Sequence, residues 1–156
     1  MEIAGLPLHP LVVHAAVVLV PLSAVATAVF AAVSRWRWLL RWPTGLVALG
    51  ATLAVWAARL SGVALLEDRP ELRQLVATHQ ERGKLLSLVV IGYLLLVLLG
   101  TWSLSGTSAL ASGRGAREAA VPALERLLPV VLGLAALSVL VLVVLTGDSG
   151  SRAVWG

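Results

Sequence analysis

The chain contains no cysteine among its 156 residues, which excludes disulfides, cysteine-ligated iron–sulfur clusters and thiol catalysis. Charged residues make up only 13% of the sequence, whereas a soluble domain carries about 25%. Basic residues form no long run, so the net charge of +4 does not indicate a nucleic-acid-binding protein. The chain has instead 59% hydrophobic residues and a mean hydropathy of +0.95. These values indicate a membrane protein whose basic residues meet lipid headgroups.

Long apolar runs predict an all-α integral membrane protein. A bilayer core takes about 20 mostly apolar residues per helix, and the sequence has room for four such helices. We predict a single domain, 1–156, that forms a four-helix bundle. Its spans are expected at about 11–33, 44–66, 84–104 and 125–146. No internal repeat is evident among them.

The segment SRWRWLLRW, which follows the first span, predicts the orientation. It interleaves three arginines with three tryptophans, a mixture typical of the headgroup layer. No Lys or Arg precedes the first span, so the positive-inside rule places this segment in the cytoplasm. We therefore expect both termini on the extracytoplasmic side.

A stripe of small residues runs along the second span at four-residue spacing. It consists of Gly50, Ala54, Ala58 and Gly62. Small side chains let another helix approach closely within a membrane. We expect this stripe to face the interior of the bundle.

All three histidines fall on the predicted outer side. His9 and His14 lie near the start of the first span, and His79 lies at the approach to the third. Positions five apart on a helix differ by about 140°, so His9 and His14 must face different neighbours. His14 lies within the apolar run and His79 on the apolar face of its helix, so we expect these two to meet across the bundle.

Two neutral imidazoles on facing helices are the arrangement that axially ligates b-type haem. The leading hypothesis is therefore one haem b near the outer face, with His14 and His79 as iron ligands and His9 nearby. Arg59, close to the outer end of the second span, is expected to balance a propionate. This interpretation favours an electron carrier or subunit over a stand-alone enzyme.

The last ten residues, GDSGSRAVWG, are predicted to leave the fourth span as a polar tail. Gly147 and Gly150 allow a chain reversal that would lay the tail over the histidines. Arg152 is then a second candidate for propionate pairing. We expect Asp148 to cap the fourth helix or to pair with Arg59 or a histidine.

Two other functions fit the same residues. In the first, the chain is a non-catalytic membrane subunit or assembly factor with structural histidines. In the second, the protein binds or carries a divalent metal through His9, His14, His79 and Asp148. The lack of a polar path argues against transport, because the inner halves of the spans are rich in Leu, Val and Ala. Candidate partners are membrane lipids, a redox or respiratory membrane protein, and a second copy of the chain.

Three segments give the chain a family resemblance. The opening GLPLHPLVVH, the polar turn THQERGK and the ending GDSGSRAVWG are similar to the bacterial membrane family called domain of unknown function 2231, over essentially the whole chain. The resemblance implies a four-helix protein of the bacterial cytoplasmic membrane, sometimes joined to redox domains such as Rieske-type modules, with haem binding suspected. It marks His9, His14 and His79. Some relatives carry a further histidine where Asp148 stands, and three histidines cannot supply the four ligands of two haems.

Overall fold

The computed structural model describes residues 2–3, 6–108 and 110–155. Four long helices make up most of it: α1 (Leu8–Ala32), α2 (Arg37–Asp68), α3 (Ala77–Ser103) and α4 (Leu128–Trp155). Two short antiparallel strands, β1 (Glu2–Ile3) and β2 (Leu6–Pro7), precede α1. Single 3₁₀ turns lie in the connections, at Ser34–Trp36, Pro70–Leu72 and Pro122–Leu124.

The helices form an antiparallel ring. Each packs against two neighbours, in the order α1, α2, α3, α4 and back to α1. The diagonal pairs are therefore α1 with α3 and α2 with α4. The first turns of α1 and α3 and the last turns of α2 and α4 lie together at one end, which we call the histidine end after His9 and His79. The opposite end is called the arginine end after Arg37 and Arg41.

All four helices are long and apolar enough to cross a membrane, which confirms the predicted number of spans. The apolar stretches are Val12–Ala32, Ser34–Asp68, Ala77–Ser103 and Leu128–Ala153. Many of their large side chains are exposed, as expected of surfaces that face lipid.

The second helix begins at Arg37, well before the predicted start of its span. This earlier start is explained by contacts with residues outside α2. Arg37 turns back to the last carbonyls of α1, and Arg41 donates to the carbonyl of Leu104 beyond the end of α3. These bonds satisfy helix-end carbonyls that would otherwise lack partners. The segment predicted as an interfacial loop is thereby held as helix.

The fourth helix continues to Trp155, so the predicted polar tail is wrong. Asp148 lies inside the helix and pairs with Arg152 one turn later, Nε to Oδ1 at 3.0 Å, instead of capping its end. The hydroxyls of Ser149 and Ser151 donate to carbonyls three residues back. The segment is helical despite Gly147 and Gly150, and no chain reversal covers the histidine end there.

The small-residue stripe of α2, predicted to face the interior of the bundle, packs against α1. A Cβ on Gly50 would lie 3.9 Å from Leu19 Cδ1, and Ala54 is buried. The end of the stripe meets His9, because a Cβ on Gly62 would lie 3.0 Å from its Cε1 atom. The small side chains thus bring α1 close enough for a histidine to reach the backbone of α2.

Hydroxyl side chains lie among the apolar residues of the bundle interior. The Tyr93 hydroxyl lies 2.7 Å from Ser23 Oγ and 2.6 Å from Thr27 Oγ1, so it links the diagonal helices α1 and α3. Nearer the arginine end, Thr44 Oγ1 and Ser103 Oγ are buried with no hydrogen-bond partner among the described residues.

Gly100 provides a test of the packing between α3 and α4. A Cβ at this position would lie 2.7 Å from Leu132 Cδ1, and Leu132 is itself fully buried. Gly100→Ala is therefore expected to lower the free energy of unfolding by about 1 to 3 kcal/mol through overpacking. Gly92→Ala is the matched control, because a Cβ there meets nothing within 4 Å. Equal unfolding midpoints for the two variants in detergent would contradict the packing described here.

Candidate histidine site

His9 lies in the first turn of α1 and bonds to the end of α2. Its Nδ1 is 3.0 Å from the carbonyl oxygen of Ala58 and 3.0 Å from Ser61 Oγ. A carbonyl oxygen only accepts, so this bond places the proton on Nδ1 and leaves the Nε2 lone pair unprotonated in the neutral ring. The ring rests on Gly62, where any larger residue would displace it.

His79 repeats this arrangement on the opposite side of the bundle. It lies in the first turn of α3, and its Nδ1 is 2.9 Å from the carbonyl oxygen of Thr146 on α4. A Cβ on Gly150 would lie 3.0 Å from that Nδ1. The same tautomer follows, with the proton on Nδ1 and the lone pair on Nε2.

The two arrangements reveal an internal repeat that the sequence analysis missed. Each accepting carbonyl is followed three residues later by a serine and four residues later by the glycine, as in ARLSG (58–62) and TGDSG (146–150). In both, the serine hydroxyl donates to the same carbonyl, at 2.9 Å and 2.8 Å. The hairpins α1–α2 and α3–α4 are therefore equivalent at this end. The sequence signal for this repeat is a Ser-Gly pair near the end of the second and fourth helices. Each of these helices follows one that has a histidine in its first turn.

The surroundings of His9 favour its neutral form. Burial lowers its pKa below the ordinary histidine value, the hydrogen bond with Ala58 opposes this, and the charge on His79 lowers it further. A neutral imidazole with a free Nε2 is the form that binds a metal.

His14 occupies a different position from the one expected. It is exposed on α1, whereas His9 reaches toward α2. The two positions lie about 140° apart around α1, so the side of the helix that carries His9 against α2 does not carry His14. The structure gives that position to His9, so the equivalent pair is His9 with His79 and does not include His14.

The arginines predicted to balance propionates lie in different surroundings. Arg59 is partly buried between α2 and α3, where its Nη1 donates to Ser87 Oγ at 2.8 Å and its guanidinium lies 5.1 Å from the Trp56 ring centroid. Arg152 is exposed and paired with Asp148. Arg82 also approaches Asp148, at 4.0 Å. In the described part of the chain, the carboxylate of Asp148 therefore pairs with two arginines, neither of which is Arg59.

The family follows from a match over nearly the whole chain. The sequence model of the family described as "Predicted membrane protein (DUF2231)" matches residues 5–156. The chain belongs to this family. The matched region of this DUF2231 protein includes His9, His79 and the two Ser-Gly pairs that follow their carbonyl partners. No curated protein and no solved structure matches the chain.

A multi-carboxylate or multi-histidine metal cluster does not form in the described part of this DUF2231 protein. No group of three or more His, Cys, Asp or Glu side chains there is arranged to hold a metal ion. His14 is exposed on α1, and Asp148 is paired with arginines. The described residues thus do not bring together the four side chains considered for a divalent metal, whereas His9 and His79 have equivalent surroundings.

Proposed function

We propose that the protein holds one b-type haem between His9 and His79 and carries electrons within the membrane. The strongest support is that the two imidazole rings have equivalent contacts. Each ring bonds through Nδ1 to a backbone carbonyl of the neighbouring helix and packs against a glycine. A histidine that ligates a metal almost always donates its other ring N–H to such an acceptor. The proposal replaces the expected ligand His14 with His9.

The residues present suit a haem with two axial histidines. The rings come from the diagonal helices α1 and α3, so they can approach one site from opposite sides of the bundle. The glycines that face them, Gly62 and Gly150, belong to the other diagonal pair and add no side chains there. Haem, when bound, supplies one-electron redox chemistry. The chain would contribute the two ligands and their fixed tautomers.

Arg59 is the cation we assign to a propionate. It follows Ala58 directly, and it is partly buried next to the helix segment that holds His9. One of its nitrogens is engaged by Ser87, and a guanidinium has further donors available. Arg152 serves this role less well, because its side chain is exposed and already paired with Asp148.

A haem titration of purified apoprotein tests the proposal. The Soret band is expected to saturate at about one haem per chain. Gly62→Val and Gly150→Val are each expected to weaken binding about 10-fold to 100-fold, because they displace the ring from its carbonyl without removing a ligand. Gly92→Val is the control on the exposed face of α3. Absence of saturable binding, or equal loss in the control, would refute the proposal.

The structural alternative draws on the same contacts. Bonds from His9 to α2 and from His79 to α4 also tie neighbouring helices together, as a non-catalytic subunit would require. That function needs no haem. It therefore predicts no saturable haem binding, while His9→Ala and His79→Ala would still lower the stability of the bundle.

We further propose that the histidine end faces the outside of the bacterial cytoplasmic membrane. The support is the arginine-rich segment 34–42, which the positive-inside rule assigns to the cytoplasm. A reporter fused after Arg117 is expected to give a cytoplasmic signal, and one fused after Asp68 an extracytoplasmic signal. The reverse pattern would place the histidines on the cytoplasmic side.

A further inference from the structure

An apolar groove lies on the outer surface between α2 and α3, toward the arginine end. It has a volume of about 350 Å³. Leucines from both helices form its walls, and Gly45 widens it, since a Cβ there would meet only Leu98 Cδ2, at 3.9 Å. The leucines are Leu46, Leu49, Leu94 and Leu98, and Trp42 and Trp102 also line the groove.

Arg41 and Arg117 both line this groove, and we call the part that they line its rim. Arg41 comes from α2, where one of its nitrogens donates to the carbonyl of Leu104. Arg117 comes from the α3–α4 connection, which is held in place by paired backbone bonds between Gly106 and Arg117 at 3.0 Å and 2.9 Å. No carboxylate is among the described lining residues. The rim is therefore positively charged above an apolar channel.

We propose that this groove binds one anionic phospholipid from the leaflet at the arginine end. Its acyl chain would lie against the leucines, and its phosphate would meet Arg41 and Arg117. Charge complementarity favours an anionic headgroup, and basic pockets between transmembrane helices bind such lipids. Trp42 and Trp102, both exposed, lie beside the groove as expected at headgroup level. A free anion would use the rim but not the apolar walls.

Lipid-dependent stability and native mass spectrometry test this assignment. In detergent, phosphatidylglycerol is expected to raise the unfolding temperature and to appear as one bound lipid per chain, whereas phosphatidylcholine and inorganic phosphate have little effect. Arg117→Gln is expected to weaken phosphatidylglycerol binding about fivefold, since it removes one of the two cations. Gly45→Leu is expected to weaken it as well, because its side chain fills the groove while both arginines remain.

Two variants serve as matched controls. Arg114→Gln removes an exposed arginine of the same connection that does not line the groove, and Gly92→Leu adds a leucine to an open face of α3. Both are expected to retain lipid binding. Equal response to phosphatidylcholine, equal loss in Arg114→Gln, or full effect of phosphate alone would overturn the proposal. So would a dimer that Gly45→Leu dissociates, because the groove would then hold a second copy.

Discussion

His9→Gly and His79→Gly are each expected to abolish the spectrum of a six-coordinate, low-spin haem. Each removes one of two imidazoles that point an unprotonated Nε2 away from its carbonyl partner. One remaining ligand leaves a five-coordinate, high-spin spectrum and weaker retention, and the double variant is expected to bind no haem at that site. Absorption spectra of the oxidised and reduced proteins measure the change.

Imidazole rescue separates ligation from structure. His→Gly leaves space for a free ring, so added imidazole is expected to restore the low-spin spectrum of each single variant. His14→Gly is the matched control and should keep the parent spectrum, because its side chain lies on the exposed face of α1. If His14→Gly loses the spectrum while His9→Gly keeps it, the original pairing of His14 with His79 is correct and the pairing proposed here is wrong.

Arg37→Met is expected to cause the largest loss of stability, about 3 to 5 kcal/mol. The side chain is buried and donates from Nε to the carbonyl of Phe30, from Nη2 to that of Ala31 and from Nη1 to that of Ser105, at 3.0 to 3.1 Å. Its Nη1 also lies 3.5 Å from Glu125 Oε2. Methionine would leave helix-end carbonyls and a partly buried carboxylate without this donor.

Unfolding in mixed detergent micelles measures the effect of Arg37→Met. Arg35→Met is the control, because Arg35 is exposed in the same short segment. A double variant, Arg37→Met with Glu125→Gln, is expected to recover part of the loss, since it removes the unpaired charge. Equal stability of Arg37→Met and Arg35→Met would show that the buried arginine does not hold the arginine end together.

The number of spans was predictable because apolar length alone decides it. The ends of α2 and α4 were not predictable in this way. Arg37 and Arg41 extend α2 through bonds to other helices, and the Asp148–Arg152 pair supports α4 through a stretch with two glycines. A hydropathy pattern predicts neither hydrogen bonds between distant segments nor ion pairs within a helix.

The choice between His9 and His14 illustrates a second limit. Their angular separation followed from helix geometry, but α1 is apolar all round and its pattern does not show which face points inward. The inward face is set by the small-residue stripe of α2, which ends at Gly62 beneath His9. The stripe and the histidines were both visible in the sequence. Predicting that His9 contacts Gly62 would also have required the relative register of α1 and α2, which the sequence pattern does not give.

Near-infrared magnetic circular dichroism of the oxidised, haem-supplied protein tests the central claim most directly, because the position of the charge-transfer band identifies the axial ligands. The account predicts the band of bis-imidazole ligation, at about one haem per chain, and its loss in both His9→Gly and His79→Gly. A protein that stays colourless when supplied with haem, or a high-spin band in the parent, would contradict it.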